Sequence, residues 1–481
     1  MSANPTEMQV AASIRAFEKR TQAFEKRVHG IPLWQLVRFE VSMRLQALNL
    51  ERAGIGRQRL VAGILKGLWQ FLWLPKAEYV GKTFDSAFRR QGKNGFEDVY
   101  FEELRSAVSR FSTMSSCDAP GYEANVDNAA TPPAFDDTSV IALSAILGRI
   151  LPRVRSHAAF DQLSEAIRNE LGLEHYSPHV LSRLYNVFVW RVTLYRIVLA
   201  RFGARAVMCP DNGQFALIRA AELRGISFVE MQHGVFSGAH PNALPSDLSP
   251  EEVRGLLLPS KLAVYGAFAA EQLKDTWLAV NGRIELVGAP LLSGFRALAV
   301  NKFPNKVPRI ALTTQGIGRQ ALRDFIAQFL RECPADFELI VRLHPAYDAD
   351  TMFYESAFCA DNRVHIQSGT SSVSTHSLIA SADFHVSISS ACHFDALGLG
   401  TPTGILQLET YESVVEVSKA EGAMLIETPS DLARIVARRE FGVVPQTTSR
   451  YFFEPDFGGQ FSRLLKNLPV PSSARSGEAP S

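Results

Sequence analysis

Residues 226–240 read Ile226-Ser227-Phe228-Val229-Glu230-Met231-Gln232-His233-Gly234-Val235-Phe236-Ser237-Gly238-Ala239-His240. The short apolar run at its start has the pattern of a buried strand in a parallel sheet. It stops at an amide, two histidines, glycines and a serine. Glycine at a strand's carboxyl end lets the backbone approach a ligand closely. In open α/β sheets that edge is where ligands bind. A plain βα turn carrying a histidine is the simpler account, and a second cluster far downstream weighs against it.

Upstream, Ala206-Val207-Met208-Cys209 predicts a strand, Pro210-Asp211-Asn212-Gly213 a turn and residues 214–223 a helix. With 226–229 this completes a βαβ unit whose strands both end in polar, glycine-bearing turns. Downstream, strands are expected at 262–266 and 284–290 around a helix over 268–280. Residues 291–308, with Lys, Asn and Pro, read as a domain linker. The rhythm then repeats, with strands at Arg309–Thr313, 337–343, 364–366, Phe384–Ser387 and Thr403–Leu406. Helices are expected to begin near Arg319, Asp350, Val373 and Ser390. Strands alternating with helices of about ten to fifteen residues predict an α/β chain with parallel, doubly wound sheets.

At 481 residues the chain is too long for one ordinary core, so two domains plus extensions are expected. Hydrophobic residues at 46% and charged residues at 21% exclude a largely disordered chain. A net charge of +1 gives no global argument for binding nucleic acid. The charge is uneven, with 12 basic and 5 acidic residues before residue 77. Five scattered cysteines, Cys117, Cys209, Cys333, Cys359 and Cys392, suggest neither a disulfide framework nor a zinc site. With no signal peptide evident, a cytoplasmic protein is expected.

Residues 10–50 predict helix broken at Gly30-Ile31-Pro32. Residues 60–74 form an apolar run that is too short, and too interrupted by Lys66, to span a bilayer. Trp69 and Trp73, flanked by Arg57, Arg59 and Lys76, suit a helix lying peripherally on the inner membrane. A core helix of its own domain fits the same pattern. Further on, 78–80 predicts a strand, 100–104 a helix after Arg89-Arg90, 115–138 a loop excursion, and 140–202 helix. After Phe441 come aromatics and then a Pro-, Ser- and Gly-bearing tail expected to be disordered. The expected organisation is a helical extension at 1–76, one Rossmann-like domain at 77–290, another at 291–445, and a C-terminal extension at 446–481.

Three strand ends of the second half carry polar groups. Thr313-Thr314-Gln315-Gly316-Ile317-Gly318-Arg319 is a glycine-rich turn that matches neither a dinucleotide fingerprint nor a P-loop. Arg342-Leu343-His344-Pro345 ends the next strand, with Pro345 locking the turn. Ser387-Ile388-Ser389-Ser390 runs into a helix that a serine would cap, and the free N–H groups with the helix dipole make an anion site. Capping alone is the plainer role of each serine. Asp348-Ala349-Asp350 has the look of a Mg²⁺ pair, but acids also favour a helix start, so no metal is expected. In the first half, Asp211 and His233 occupy neighbouring strand ends. Either suits a general base, or Asp211 a carboxylate nucleophile, while an Asx turn is the bland account of Asp211. Glu230 is a further catalytic candidate. These clusters are expected to face each other across a cleft sized for a nucleotide and a second substrate.

The order Gln232-His233-Gly234, Tyr265-Gly266, Gly288-Ala289-Pro290, His344-Pro345, Ser389-Ser390 and Asp395-Ala396-Leu397-Gly398-Leu399-Gly400-Thr401-Pro402 resembles bacterial capsule and lipopolysaccharide glycosyltransferases of the GT-B fold. That group includes the capsule-synthesis Kdo transferases and is distantly similar to bacterial sialyltransferases. The similarity covers roughly residues 200–430 and touches Arg89-Arg90 to Phe101. It implies two Rossmann-type domains facing across a cleft, and a nucleotide-sugar donor held by the C-terminal domain. Gln315, Gly316, Arg342, His344, Pro345, Ser389 and Ser390 would hold that donor. Asp395 falls where many relatives place a glutamate on the donor ribose. Asn212, Gln232, Gly234, Ser237 and His240 would line the acceptor side. Relatives often carry a tyrosine shortly after the second histidine, where this chain has Pro241-Asn242-Ala243. The implied activity is sugar transfer from a CMP-linked Kdo or sialic-type donor to a surface polysaccharide or glycolipid, with no cofactor. A sugar-nucleotide epimerase or polyol-phosphate transferase of the same shape is the alternative. So is a non-catalytic member of a polysaccharide assembly complex, against which the intact His233, His344, Ser389 and Ser390 argue.

Overall fold

A computed structural model describes residues 7–46, 57–84, 89–92, 95–116, 129–211, 213–234, 236–290, 292–295, 305–344, 347–358, 360–369 and 373–469. The chain forms two α/β units. The first comprises Met1–Val264, Ala269–Glu285 and Gly458–Ser481, and the second Tyr265–Phe268 and Leu286–Phe457.

The first unit is built on β1 (Tyr79–Phe84), β2 (Phe111–Ser116), β3 (Phe135–Asp136), β4 (Ala206–Cys209), β5 (Ser227–Met231), β6 (Lys261–Val264) and β7 (Ile284–Leu286). Their order across the sheet is β7-β6-β5-β4-β1-β2-β3. The pairings from β6 through β3 are all parallel. Every residue of β4 and β5 is buried, because helices cover both faces. Helix Pro178–Phe202 shows how sequence fixes such an element. The Ser177 hydroxyl accepts from the Val180 N–H at 3.4 Å, Pro178 occupies the first turn, and Gly203 ends it at φ +74°.

The second unit contains β8 (Arg309–Thr313), β9 (Glu338–Arg342), β10 (Val364–Gln367), β11 (Phe384–Ser387), β12 (Thr403–Leu406) and β13 (Ala423–Ile426). Its order is β10-β9-β8-β11-β12-β13, with every pairing parallel. Counted within the unit, that is the dinucleotide-fold order 3-2-1-4-5-6. The first unit has the same order with one strand added. Strand order therefore reverses direction between β1 and β4 in one unit and between β8 and β11 in the other. At such switch points the flanking loops splay apart and leave a crevice.

The expected α/β class with parallel, doubly wound sheets is what the structure shows. Several expectations need adjustment. Arg89-Arg90 starts a short antiparallel hairpin, Arg89–Gly92 with Gly95–Asp98. Strands β2, β3 and β13 were not anticipated. Helices Glu7–Thr21 and Leu33–Leu45 pack in the first unit's core through Phe17, Trp34, Val37 and Val41. The units part at Leu286, ahead of the stretch read as linker, and the chain beyond Phe457 returns to the first unit. Asn212, Pro345 and the tail from residue 470 lie outside the described residues.

Candidate active site

In the first unit, the carboxyl ends of β4 and β5 bring Asp211, Glu230, His233 and His240 into one electrostatic neighbourhood. Asp211 acts on both Glu230 and His233, and His233 acts on His240. Asp211 sits in the turn after β4, where one oxygen accepts the Gly213 N–H at 2.8 Å and the other the Gln214 amide at 2.6 Å. The Asx turn is thus present, and both carboxylate oxygens accept hydrogen bonds within it. Glu230 is 5% exposed. Burial, reinforced by the Asp211 charge, pushes its carboxyl up to about 8. At neutral pH that shift favours its protonated, uncharged form.

Burial lowers His233 below the usual imidazole range, against the pull of Asp211. It lowers His240 to about 4, with His233 and Arg38 adding to the effect. Both rings are neutral at pH 7. The Nδ1 of His240 accepts the Asn242 N–H at 3.1 Å, which leaves the proton of the neutral ring on Nε2. Its ring also meets Phe236 edge-on at 4.7 Å. Gln232 folds over its own turn, donating to the Gly234 carbonyl at 2.9 Å, and the Ser237 hydroxyl accepts from the Ala239 N–H at 3.3 Å. These two residues shape the loop.

The N-terminal helices brace that loop. Arg38 donates to the Pro241 carbonyl next to His240 and to Glu18 at 2.6 Å. Glu18 also accepts the Trp34 indole N–H at 2.8 Å. Gln35 exchanges two 2.8 Å hydrogen bonds with the Leu257 backbone. A cavity of about 20 Å³, room for roughly one water, is lined by Glu230, Gln35, Arg38 and Asn242 among apolar residues.

At the switch point itself, Lys82 at the end of β1 is buried against Asp137 at 3.0 Å and the Ser116 hydroxyl at 2.5 Å. Asp137 also accepts from the Tyr195 hydroxyl at 2.8 Å. Sequence reading missed this network, although a lysine inside the strand Tyr79–Phe84 was a visible signal. Its groups satisfy one another, so it fixes the ends of β1, β2 and β3.

In the second unit, the loops after β8 and β11 meet across the switch point. Ser389 donates to the Gln315 side-chain oxygen at 2.9 Å, and the Gln315 amide donates to the Ser389 carbonyl at 3.2 Å. The loop after β9 closes on the same edge, with the His344 N–H donating to Thr314 at 3.3 Å. The Nδ1 of His344 accepts the Tyr347 N–H at 3.1 Å, and its ring stacks on Tyr347 at 4.6 Å. Burial lowers His344, opposed by Asp348. The ring is neutral with its proton on Nε2, a donor suited to an anionic oxygen. Gly316 has φ +77°, and a Cβ there would collide with the Tyr347 carbonyl, so only glycine lets the two loops touch. Gly318 at φ +60° leads into helix Arg319–Glu332, whose first N–H groups open at this edge.

Other expected donor residues are placed elsewhere or serve the fold. Arg342 is buried, and its guanidinium donates to the carbonyls of Ser368, at 2.9 Å, and Val373. It holds the loop after β10 and is not turned to a phosphate. Ser390 accepts the Cys392 N–H at 3.2 Å. Asp348 accepts from the Tyr354 hydroxyl at 2.7 Å, whereas Asp350 pairs with Arg319 at 3.1 Å. The two acids therefore serve separate partners. Among the described residues no cluster of His, Cys, Asp and Glu is placed to hold a metal ion. Asp395 lies 3.2 Å from the Nε2 of His376, which stacks on Phe295 at 6.0 Å. His376 escaped sequence reading because it sits inside a helical turn with no flanking motif.

The sequence matches no family model and no curated protein. Solved structures superpose more broadly. UDP-GlcNAc 2-epimerase from Methanocaldococcus jannaschii is 12% identical, with a TM-score of 0.46 over 81% of this chain and 99% of that one. MurG from Acinetobacter baumannii is 11% identical, with a TM-score of 0.48 over 82% and 99%. The wall teichoic acid polymerase TagF is 10% identical, with a TM-score of 0.40 over 86% and 94%. Likenesses this loose carry no weight for chemistry, and the fold stands on the chain's own strand order.

Proposed function

We propose that this protein is a glycosyltransferase. It would move a sugar, with CMP-linked Kdo or a sialic-type sugar favoured, from a nucleotide to a growing surface polysaccharide or glycolipid. The supporting observation is the pairing of chemistries at two equivalent sheet edges. One gathers Asp211 with neutral His233 and protonated Glu230. The other gathers uncharged donors, His344 with the Gln315–Ser389 pair, beside an open helix N-terminus.

In such a transfer the acceptor hydroxyl gives its proton to Asp211 or His233 as its oxygen bonds to the anomeric carbon. The bond from that carbon to the donor phosphate breaks, and the electron pair leaves with the nucleotide. For such a phosphate charge the second unit by itself offers the His344 Nε2–H and the N–H groups following Gly318. Glu230, protonated and buried, keeps a second negative charge away from Asp211.

The test is turnover of CMP-, UDP- and GDP-sugars with and without a lipid-extract acceptor. Acceptor-dependent transfer is expected from one donor. Asp211→Asn should cut it by about 10²–10⁴-fold while leaving the fold intact. Interconversion of a UDP-sugar without acceptor would instead establish an epimerase. No reaction and no nucleotide binding would leave a non-catalytic assembly protein.

A further inference from the structure

Helix Arg57–Leu72 is amphipathic in the reverse of the usual sense. Its inner side is made by Gly63 and Gly67, which lie against Thr138 and Ser139. A Cβ on Gly67 would collide with Ser139 and the Asp136 carbonyl, so the glycines fix which face points inward. The outward face presents Val61, Leu65, Leu68, Trp69, Leu72 and Trp73, each between 49% and 70% exposed. Helix Thr138–Ile150, packed on it, adds exposed Ile146 and Ile150. Apolar side chains held outward in a continuous stripe mark an interaction surface.

The charges around the stripe select the partner. No acidic residue occurs in 52–77, 138–160 or 175–210, the segments that supply these helices and the long one beside them. Exposed Lys66, Lys76, Arg149, Arg153 and Arg155 lie in the same segments. Lys76 donates to the Arg201 carbonyl at 2.9 Å, and Arg201 to the Leu72 carbonyl at 3.0 Å, which ties the tryptophan end of the helix to its neighbour. Among the described residues no helix is long and apolar enough to cross a membrane. We propose that this stripe docks the protein on the surface of an anionic phospholipid bilayer. Tryptophan and leucine enter the headgroup boundary, and the lysines and arginines meet lipid phosphates. The inference rests on this surface alone and does not depend on the sugar-transfer proposal.

The full chain would be sedimented with phosphatidylcholine vesicles with and without about 30 mol % phosphatidylglycerol. Binding is expected only with the anionic lipid, weakening as salt rises from roughly 0.1 to 0.5 M. Trp69→Ala with Trp73→Ala should lower the partition coefficient at least about tenfold. Because both side chains are exposed, thermal unfolding should be unchanged. Three results would overturn the proposal: no sedimentation with either vesicle, equal sedimentation of wild type and variant, or a lipid-free dimer that the double variant converts to monomer.

Discussion

The two sheet edges share a strand order and differ in what they do with charge. At the ends of β4 and β5, Glu230 and His240 lie beside residues of the N-terminal helices, where burial drives their proton affinities apart. Glu230 is pushed up to about 8 and His240 down to about 4. At the ends of β8, β9 and β11 the polar groups are mostly uncharged donors and acceptors, already paired with one another. The same topology thus builds one edge suited to moving protons and another suited to cradling an anion. The difference comes from which side chains follow each strand and from what covers them.

Glu230→Gln probes the first edge most strongly. The unfolded chain releases the Glu230 proton above about 4.5, whereas the folded protein keeps it until about 8. The stabilising contribution is complete below the lower value and is lost as pH rises through the window. Wild type should lose up to about 5 kcal/mol between pH 4.5 and 8 from this group alone. Chemical denaturation across that range should show the variant without that decline. His240 and His393, both lowered to about 4, act in the opposite direction and gain stability as pH rises from 4 to 6.5. The difference between wild type and variant isolates the glutamate. Asp211→Asn comes next, with the rate loss already described and an unchanged nucleotide affinity. Ser389→Ala is the mildest change. It removes the hydroxyl bridging Gln315 and Thr410, and should weaken nucleotide binding by about 0.5–1.5 kcal/mol in calorimetry.

The sequence carried the alternating strands of both units because their buried runs are nearly all apolar. β4, β8, β11 and β12 start and stop where the pattern places them. β2 was not legible, since Phe-Ser-Thr-Met-Ser-Ser is mostly polar, and β3 is only two residues long. Asp211, Glu230 and His233 were legible as a group because each follows or ends a predicted strand. Arg342 and Asp350 show the limit of that logic. Both occupy plausible positions, yet their partners, the Ser368 carbonyl and Arg319, are set by tertiary packing that no local pattern reveals. The bracing of the His240 loop by Arg38 spans 203 residues of sequence and was likewise invisible.

The most direct test of the division between the edges is a thermal-shift panel of CMP, UDP, GDP and ADP on wild type, His344→Ala and Asp211→Asn. At about a hundredfold over its dissociation constant, a bound nucleotide adds roughly 2.7 kcal/mol of stability. One nucleotide should stabilise wild type and Asp211→Asn alike and fail to stabilise His344→Ala. A shift lost in Asp211→Asn but retained in His344→Ala, or no shift with any nucleotide, would contradict the assignment.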